Sequence, residues 1–490
     1  MAQQKSLLSG IGMMAILTIA SKLVRLVILM VTARFLTPED FGVVAAFSMV
    51  LALAYLFADM GLMKTLIQRP VVNTAHIGGA ILISSIFSVI VFCTLIFASD
   101  SIERLVGVSG VQLPLQISSF LFCFLAISNI CSALFQRHGD IVFIGKVQAF
   151  ATIFGNIFIT VPLLWFDLGY WAIIIGVFVS ELISLVIIIW QGKSFLKFNF
   201  SKSETFEVIK YSSAFLSHNI INLFSKQIDI ALVGRYLGKT DLGNYSRAMQ
   251  LIEFPTQIYG LVVDRVVFPA MSAMKAEKDK LRQFFIDIYS LLLLVLTVGA
   301  ITLFLGATDI ITIMMGNGWE VVIVLLKILA ANVVFKCLNN FVNSFLAAYG
   351  TIKALTYKNF LSLIIFSISI FVGIKFGLTG VAYAVVLASS VSLFMSIFIA
   401  IHYAGIPAKQ LISASIPAFV TSIFIISLYA GISLVVDFPS LVNILVAIVL
   451  WGIFSFVLPS VILLTQSGKN FVLKIKYKDI DMQRINSKNN

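Results

Sequence analysis

Apolar segments long enough to cross a lipid bilayer recur along almost the whole of this sequence. A transmembrane helix needs about 20 mostly apolar residues, because the hydrocarbon core of a bilayer is roughly 30 Å thick. The sequence predicts about 14 such spans, near residues 9–34, 41–66, 76–99, 113–136, 142–166, 170–190, 209–236, 243–271, 283–307, 319–347, 352–375, 379–403, 408–430 and 438–465. We therefore expect an all-α integral membrane protein.

The composition leaves little room for a soluble domain. Of the 490 residues, 60% are apolar and only 11% are charged, whereas soluble domains carry about 45–50% apolar and about 25% charged residues. The net charge of +12 is spread over the polar connectors, with no compact basic domain and no nucleic-acid-binding motif. The sequence therefore does not favour nucleic acid as a partner.

Lysine and arginine are divided unevenly between the two sets of connectors. The set that includes both termini carries 20 of these residues, and the other set carries five, at Arg34, Arg104, Arg235, Lys239 and Lys375. Positively charged connectors usually remain in the cytoplasm, so we expect both termini there and an even number of spans. The basic tail, residues 466–490, is expected to lie near the anionic inner leaflet.

Two short motifs recur in the second half of the chain. Residues 34–42 (RFLTPEDFG) and 235–243 (RYLGKTDLG) share the pattern R-[FY]-L-x-x-x-D-[FL]-G at an offset of 201 and follow predicted spans one and seven. Residues 166–172 (FDLGYWA) and 376–382 (FGLTGVA) share F-x-L-x-x-[WV]-A at an offset of 210. Matches at equivalent connectors predict a duplicated unit of six spans. Within the first motif, Asp40 and Asp241 are each expected to cap the helix that follows.

The duplication divides the chain into two pseudo-symmetric lobes. We predict an N-lobe at 1–191, an interlobe cytoplasmic linker at 192–208, a C-lobe at 209–406, two additional helices at 407–465 and the tail at 466–490. An even number of spans per unit means that both units enter the membrane from the same side, as in transporters built from parallel repeats. Substrate sites in such folds lie near the bilayer midplane at the repeat interface, so we expect a central cavity there.

Charged residues inside the predicted spans are the candidates for that site. A Lys, Arg or Asp at the centre of a spanning helix costs roughly 2.5–3.5 kcal/mol. The cationic candidates for substrate binding are Lys22, Arg25, Lys226, Lys327 and Lys336, and the acidic candidates for ion coupling or charge pairing are Asp59, Glu181, Asp229 and Glu253. Residues three apart share a helix face. Lys22 and Arg25 therefore form one patch in span one, and Lys226 lies beside Asp229 in span seven.

Two interpretations of these charges remain open. The charges either neutralise one another and fix helix packing, as Lys226 and Asp229 can do locally, or they line a water-filled cavity. Lys22 and Arg25 repel each other on one face, so they need an acidic partner or an anion. The second interpretation predicts a cationic cavity that selects anionic cargo.

No arrangement of residues in the sequence points to catalysis. The four histidines, His76, His138, His218 and His402, are isolated. The four cysteines lack a paired spacing such as C-x-x-C, and the nucleotide-binding pattern G-x-x-x-x-G-K-[ST] does not occur. We predict a transporter rather than an enzyme, with no catalytic residue, metal or cofactor.

Residues 19–44 (IASKLVRLVILMVTARFLTPEDFGVV) resemble the opening of the Wzx-type polysaccharide flippases. The similarity is strongest to the branch that includes colanic acid and teichuronic acid exporters. These proteins form the polysaccharide transporter family of the multidrug/oligosaccharidyl-lipid/polysaccharide exporter superfamily. The helix count, the six-plus-six duplication, the two trailing helices and the cytoplasmic termini fit that family over nearly the whole chain.

The resemblance implies a multi-pass protein of the bacterial inner membrane that moves an undecaprenyl-pyrophosphate-linked oligosaccharide to the periplasmic leaflet. It implies a role in exopolysaccharide, O-antigen or capsule synthesis by alternating access of two lobes. The expected partners are the lipid-linked oligosaccharide, membrane lipids and the polymerase or export machinery, and a monomer is compatible with this function.

The resemblance implies a substrate-binding role for only some of these charged residues. A role of basic residues in the first and seventh helices in binding pyrophosphate maps onto Lys22, Arg25 and Lys226, whereas Asp229 departs from an all-basic pattern. The energy source is left open between the membrane potential and proton or sodium antiport through Asp59, Glu181 or Glu253. A multidrug cation antiporter of the same superfamily is the alternative function.

Overall fold

The described part of the protein is built from helices joined by short turns. The computed structural model describes residues 20–21, 23–196 and 199–435, and no strand occurs among them. The helices are α1 (23–35), α2 (Pro38–Asp59), α3 (Leu62–Gln68), α4 (Thr74–Phe97), α5 (Ser99–Val106), α6 (Gln112–Ser119), α7 (Phe122–Arg137), α8 (Ile141–Ile153), α9 (Val161–Trp165), α10 (Tyr170–Gly192), α11 (Lys202–Val262), α12 (Phe268–Ala273), α13 (Lys278–Leu305), α14 (Ala307–Met315), α15 (Glu320–Tyr349), α16 (Ile352–Ile374), α17 (Gly377–Ala404) and α18 (Ala408–Val435).

Many of these helices have the length and composition of membrane spans. Eight segments within the described residues are long and apolar enough to cross a bilayer, and the pair α6 and α7, bent by 56°, makes a ninth if it forms one span. Helices satisfy their own backbone hydrogen bonds, which a hydrocarbon environment requires. The prediction of an all-α integral membrane protein is confirmed. The predicted span at 438–465 lies outside the described residues.

Four predicted spans differ in detail from the observed helices. The span predicted at 41–66 is interrupted because Met60 and Gly61 adopt left-handed conformations, with φ of 50° and 74°, and these end α2. The span predicted at 142–166 contains a π-helical turn, Phe154–Thr160. The spans predicted at 209–236 and 243–271 are joined in α11, where only Gly238 departs from helical geometry.

The described residues form two compact units. As far as these ranges are described, unit 1 comprises Met1–Gln250, Thr312–Val322 and Ser367–Val381, and unit 2 comprises Leu251–Ile311, Ile323–Phe366 and Ala382–Asn490. The division falls within α11. The lobe boundaries near residues 191 and 209 stay a prediction.

Each unit has its own apolar core. In unit 1, α3, α4 and α7 bury a cluster that includes Leu66, Ala80 and Leu134. In unit 2, the ring of Phe285 lies 4.2 Å from that of Phe345 and 5.2 Å from that of Phe341, between centroids. Such aromatic packing contributes beyond the apolar area that it buries.

Left-handed glycines recur in the two halves of the chain. Gly107, Gly110, Gly139 and Gly169 have positive φ, and so do Gly316, Gly318, Gly350 and Gly377. Taken in order, the pairs are separated by 209, 208, 211 and 208 residues. Four turns of the first half that use a glycine at positive φ therefore have counterparts in the second half, at close to the spacing of the sequence repeat.

Candidate functional site

The first copy of the nine-residue motif starts α2. The Thr37 side chain accepts a hydrogen bond from the backbone N–H of Asp40, and the Asp40 carboxylate accepts one from the N–H of Thr37, at 3.0 Å. This reciprocal pair is a capping box, which satisfies backbone donors at a helix start. Asp40 therefore helps to cap α2, as predicted, but from the third helical position, because Pro38 begins the helix earlier than expected and Thr37 is the N-cap residue.

The second copy of the motif lies inside the long helix α11. Gly238, with φ of 86° and ψ of −177°, changes the direction of the chain where the first copy has Thr37. Asp241 follows within the helix rather than capping it, so this half of the capping prediction was wrong. Burial raises the pKa of Asp241 above its ordinary value.

The two motif copies touch each other through equivalent positions. A Cβ on Gly42 would collide with the carbonyl oxygen of Lys239, and a Cβ on Gly243 would collide with that of Pro38. Lys239 and Pro38 are the fifth residues of their copies, and the two glycines are the ninth. The backbones therefore approach in a reciprocal contact, in which each copy uses the same two positions. Only glycine allows this separation.

The arginines that open the two copies also make equivalent contacts. Arg34 Nη2 donates to the carbonyl oxygen of Ile313 at 2.9 Å, and Arg235 Nη1 donates to that of Arg104 at 2.6 Å. Arg104 lies in α5 and Ile313 in α14, the two short helices that end at Gly107 and Gly316. We call residues 34–42 and 235–243, with these two acceptors, the motif cluster.

Further contacts in unit 1 make the motif cluster asymmetric. Lys239 Nζ pairs with a Glu39 carboxylate oxygen at 2.5 Å, and the hydrogen bond and charge of Glu39 raise the pKa of Lys239. The buried ring of Phe41 lies edge-on to Trp319, whose Nε1 donates to the carbonyl oxygen of Ala33. The Arg247 guanidinium lies 4.3 Å from the centroid of the Phe41 ring, a cation–π arrangement.

The predicted charges in spans one and seven have different environments. Arg25 and Lys226 are exposed, and Arg25 interacts electrostatically with Glu181 without an ion pair within 4.0 Å among the described residues. Asp229 is 5% exposed and accepts a hydrogen bond from the Tyr245 hydroxyl at 2.7 Å. Among the described residues within these two predicted spans, the exposed charges are therefore cationic. Lys22 lies outside the described residues.

The remaining predicted residues lie in three different settings. The Asp59 carboxylate accepts hydrogen bonds from the N–H groups of Gly61 and Met63, both at 3.2 Å, and so stabilises the turn after α2. In unit 2, Lys336 Nζ lies 3.3 Å from Glu253 Oε1. Lys327, also in unit 2, makes no hydrogen bond or ion pair with any described side chain.

A buried lysine was missed by the sequence analysis. Lys358 is 2% exposed and contacts asparagine oxygens in unit 2. Its position near the end of a predicted span makes it look like a connector cation. The asparagines and serines of spans ten and twelve were the available signal, since such polar residues inside apolar helices need partners.

One described cluster has the composition of a metal site. Ligand atoms of His76, Glu204 and Glu207 lie within 4.8 Å of one another. The N–H of Asn73 donates to His76 Nδ1 at 3.2 Å, so a neutral ring carries its proton on Nε2, which faces Glu204. Arg69 also pairs with Glu207, and its hydrogen bond lowers the pKa of that carboxyl. The arrangement fits a hydrogen-bonded ion-pair network better than a metal centre.

An apolar cavity lies in unit 1 between α2, α4, α5 and α11. Its volume is about 540 Å³, and its lining includes Phe57, Phe87 and Phe224 but no charged side chain. Gln227 is the one amide group in that lining. These walls suit a hydrocarbon chain and disfavour a charged group.

Comparison with known proteins agrees with this architecture. The fold resembles that of lipid II flippase MurJ in an inward closed conformation, with a TM-score of 0.74 and 16% identity over 91% of this chain and 98% of that one. The fold class is that of a multi-helix membrane transporter. Residues 31–324 match the family described as polysaccharide biosynthesis protein. The chain belongs to this family.

Relatives with similar lengths carry related descriptions. Lipopolysaccharide biosynthesis protein WzxC of Escherichia coli is 21% identical over 82% of each chain. Teichuronic acid biosynthesis protein TuaB of Bacillus subtilis is 23% identical over 76% of this chain and 77% of its own. The predicted resemblance to the Wzx-type polysaccharide flippases is confirmed at the level of the family.

Proposed function

We propose that this protein is a flippase that moves an undecaprenyl-pyrophosphate-linked oligosaccharide across the bacterial inner membrane for surface polysaccharide synthesis, and that it is not an enzyme. Family membership and the descriptions of its relatives support this class of function. The observation that carries the proposal is the charge on spans one and seven, where the exposed residues Arg25 and Lys226 are cationic and Asp229 is buried against Tyr245.

The cations on these spans suit a pyrophosphate group. Arginine binds phosphate oxygens through two parallel hydrogen bonds, and lysine binds them as a point charge. Lys22, three residues before Arg25, belongs to the same proposed site on sequence grounds. The apolar cavity of unit 1 supplies a wall against which the prenyl chain can lie, so headgroup and tail meet surfaces of matching polarity.

The motif cluster supports alternating access. It lies where α1 ends and α2 begins. Because we place the N-terminus in the cytoplasm, we assign this end of the two helices to the periplasmic side. Its reciprocal glycine contact and two arginine bonds link connectors of the two predicted lobes. Release of the oligosaccharide into the periplasmic leaflet requires these contacts to open, and uptake from the cytoplasmic leaflet requires them to be closed.

The membrane potential favours this direction of movement. An inside-negative potential contributes about 2.3 kcal/mol per negative charge per 100 mV for outward transfer. A polysaccharide polymerase that consumes the periplasmic product would add to this driving force, and we place such machinery and the surrounding lipids among the partners.

Alanine substitutions test the cationic site. The variants Arg25→Ala and Lys226→Ala, and Lys22→Ala with Arg25→Ala, are expected to lower surface polysaccharide and to raise the lipid-linked precursor in the membrane, at unchanged protein level. Arg25→Lys should retain part of the activity. Lys146→Ala is the control, because Lys146 is an exposed cation of α8, outside both spans.

Two outcomes would contradict the proposal. Unchanged polysaccharide in all three alanine variants would remove the cationic site. Increased resistance to cationic dyes on expression of the protein, with no effect on polysaccharide, would instead favour the multidrug cation antiporter.

A further inference from the structure

A fully buried ammonium group lies in unit 2 among neutral oxygens. Lys358, in the second turn of α16, is 2% exposed. Its Nζ donates to Oδ1 of Asn339 at 2.9 Å, of Asn343 at 3.4 Å and of Asn359 at 3.5 Å. A protonated lysine has three N–H donors, so three amide oxygens satisfy it completely.

A second layer of hydroxyl groups orients these amides. Ser396 Oγ lies 2.8 Å from Asn339 Oδ1 and 3.0 Å from Asn343 Oδ1, so its single O–H donor is within hydrogen-bond reach of both amide oxygens. Ser392 Oγ lies 3.5 Å from Asn339 Oδ1. The group therefore joins α15, α16 and α17, and we call Lys358 with Asn339, Asn343, Asn359 and Ser396 the lysine cage.

The charge of the lysine cage has no acidic counterpart. Among the described residues, no carboxylate lies within 4.0 Å of Lys358. On α15, Lys336 lies three residues before Asn339 and so shares its helix face, and it is paired with Glu253. The other titratable residues of these three helices within unit 2 are Lys327, Cys337, Tyr349, Lys353, Tyr357, Tyr383, His402 and Tyr403, and none has a hydrogen bond to the cage among the described residues.

Loss of one proton changes the hydrogen bonds of the cage. Lys358–NH₃⁺ becomes Lys358–NH₂ and a free proton, so the net charge of the cage falls from +1 to 0. A neutral amine has two donors and one acceptor lone pair. It cannot satisfy three carbonyl oxygens, and its lone pair needs a donor, which requires an asparagine amide or a serine hydroxyl to rotate. The contacts that join α15, α16 and α17 therefore depend on the protonation of one side chain.

We propose that Lys358 is the proton-binding group through which the protein couples lipid movement to a proton gradient. This inference rests on the proposed flippase function and assigns its energy coupling. It places the coupling proton on a lysine, whereas Asp59 stabilises a turn and Glu253 is paired with Lys336.

Proteoliposomes with an imposed pH gradient test the assignment. The full-length protein is reconstituted with a fluorescent undecaprenyl-pyrophosphate-linked monosaccharide, and the membrane potential is held at zero with valinomycin and equal potassium. The measured quantity is the steady-state ratio of the lipid between leaflets. For one proton per lipid, a gradient of one pH unit should shift this ratio up to about tenfold, since tenfold corresponds to about 1.4 kcal/mol.

Two substitutions of Lys358 prevent its change of charge, one by keeping the side chain always charged and the other by keeping it always neutral. Lys358→Arg keeps the charge and the donors but does not deprotonate, and Lys358→Met is always neutral. Both should still equilibrate the lipid yet lose the tenfold response. Lys353→Arg and Lys353→Met are matched controls on the same helix, because Lys353 is exposed, and both should keep the response.

Each result separates the coupling from the transport itself. Wild-type protein that equilibrates the lipid without responding to pH, or that responds to a sodium gradient instead, overturns the role of Lys358 and leaves the flippase function intact. A response retained in Lys358→Arg overturns it as well, even if Lys358→Met fails to fold. Wild-type protein that does not move the lipid overturns the proposed function and the coupling together.

Discussion

The two copies of the motif make the same contacts but build their backbones differently. Both use the fifth and ninth positions to approach each other, and both direct the leading arginine to a carbonyl oxygen of a short helix. The first copy begins a new helix with a capping box, whereas the second bends a continuous helix at Gly238. The contact between the copies is therefore shared, and the local means of positioning it are not.

This difference separates what the repeat preserves from what it leaves free. A reciprocal contact, in which each copy presents the same surface, constrains both copies at once, as in an isologous interface. A helix start or a bend only has to place the ninth residue, and several local solutions do that. Matched substitutions in the two copies can test this distinction.

Substitution of either glycine is expected to have the largest effect. Gly42→Val and Gly243→Val each place a side chain against a backbone carbonyl that cannot move independently, so each should cost about 3 kcal/mol, at the upper end for overpacking. Because one contact serves both copies, the double variant should lose less than the sum of the two. Thermal unfolding in detergent, with surface polysaccharide as the activity measure, checks both expectations.

Gly260→Val is the control for the glycine variants. It lies in the same long helix as Gly243, and a Cβ there would meet nothing within 4 Å. A stability loss in Gly260→Val as large as in the motif variants would show that the close approach is not the cause.

The leading arginines are expected to have the next largest effect. Arg34→Ala and Arg235→Ala each remove one charged hydrogen bond to a carbonyl oxygen, and because both side chains are exposed, we expect only about 1 kcal/mol from each. Arg104→Ala is the control, since it keeps the backbone oxygen that Arg235 binds and removes only an exposed pair with Asp100. A large difference between the first two variants would break the equivalence of the copies.

Much of this arrangement could be predicted from the sequence. Hydrophobic length predicts the helices, and the two motif copies predict a duplication that recurs in the left-handed glycines. The sequence also identifies Lys336 and Glu253, which pair, and Arg25 and Glu181, which interact. These predictions succeed because a charged residue within an apolar run can be recognised from the sequence alone, without knowledge of which residues touch.

The remaining features depend on contacts between distant residues. The lysine cage joins Lys358 to residues 15 to 19 positions away and, through them, to Ser396. The polar residues inside apolar spans indicate that partners are needed, but the local sequence does not say which residues those partners are. The glycine contact requires knowing that the copies touch, not only that they match. Asp40 caps from the third helical position rather than from the N-cap position, because Pro38 is accepted in the first turn of a helix and the helix begins before the acidic residue.

The capping box is expected to have a moderate effect that is confined to the first copy. Thr37→Ala removes the side-chain acceptor at the start of α2 and should cost about 1 kcal/mol. Thr240→Ala is the control, because it changes the same residue type in the second copy. The Thr240 hydroxyl caps no helix and makes one long, exposed hydrogen bond, at 3.5 Å to Glu39 Oε1, so this variant should leave the unfolding midpoint nearly unchanged. Equal losses in the two variants would argue that both copies start their helices through the hydroxyl group.

The ion pair between Glu39 and Lys239 is expected to have the smallest effect, because both side chains are exposed and salt screens such pairs. Glu39 raises the pKa of Lys239, so the contribution of the pair is fully present below the ordinary lysine pKa of about 10.4. It is lost as the pH rises through the raised pKa. The difference in unfolding midpoint between the wild type and Lys239→Met should therefore disappear at strongly alkaline pH and in 1 M salt. The exchanged variant, Glu39→Lys with Lys239→Glu, should recover part of what Glu39→Lys alone loses, and no recovery would mean that the pair does not hold the copies together.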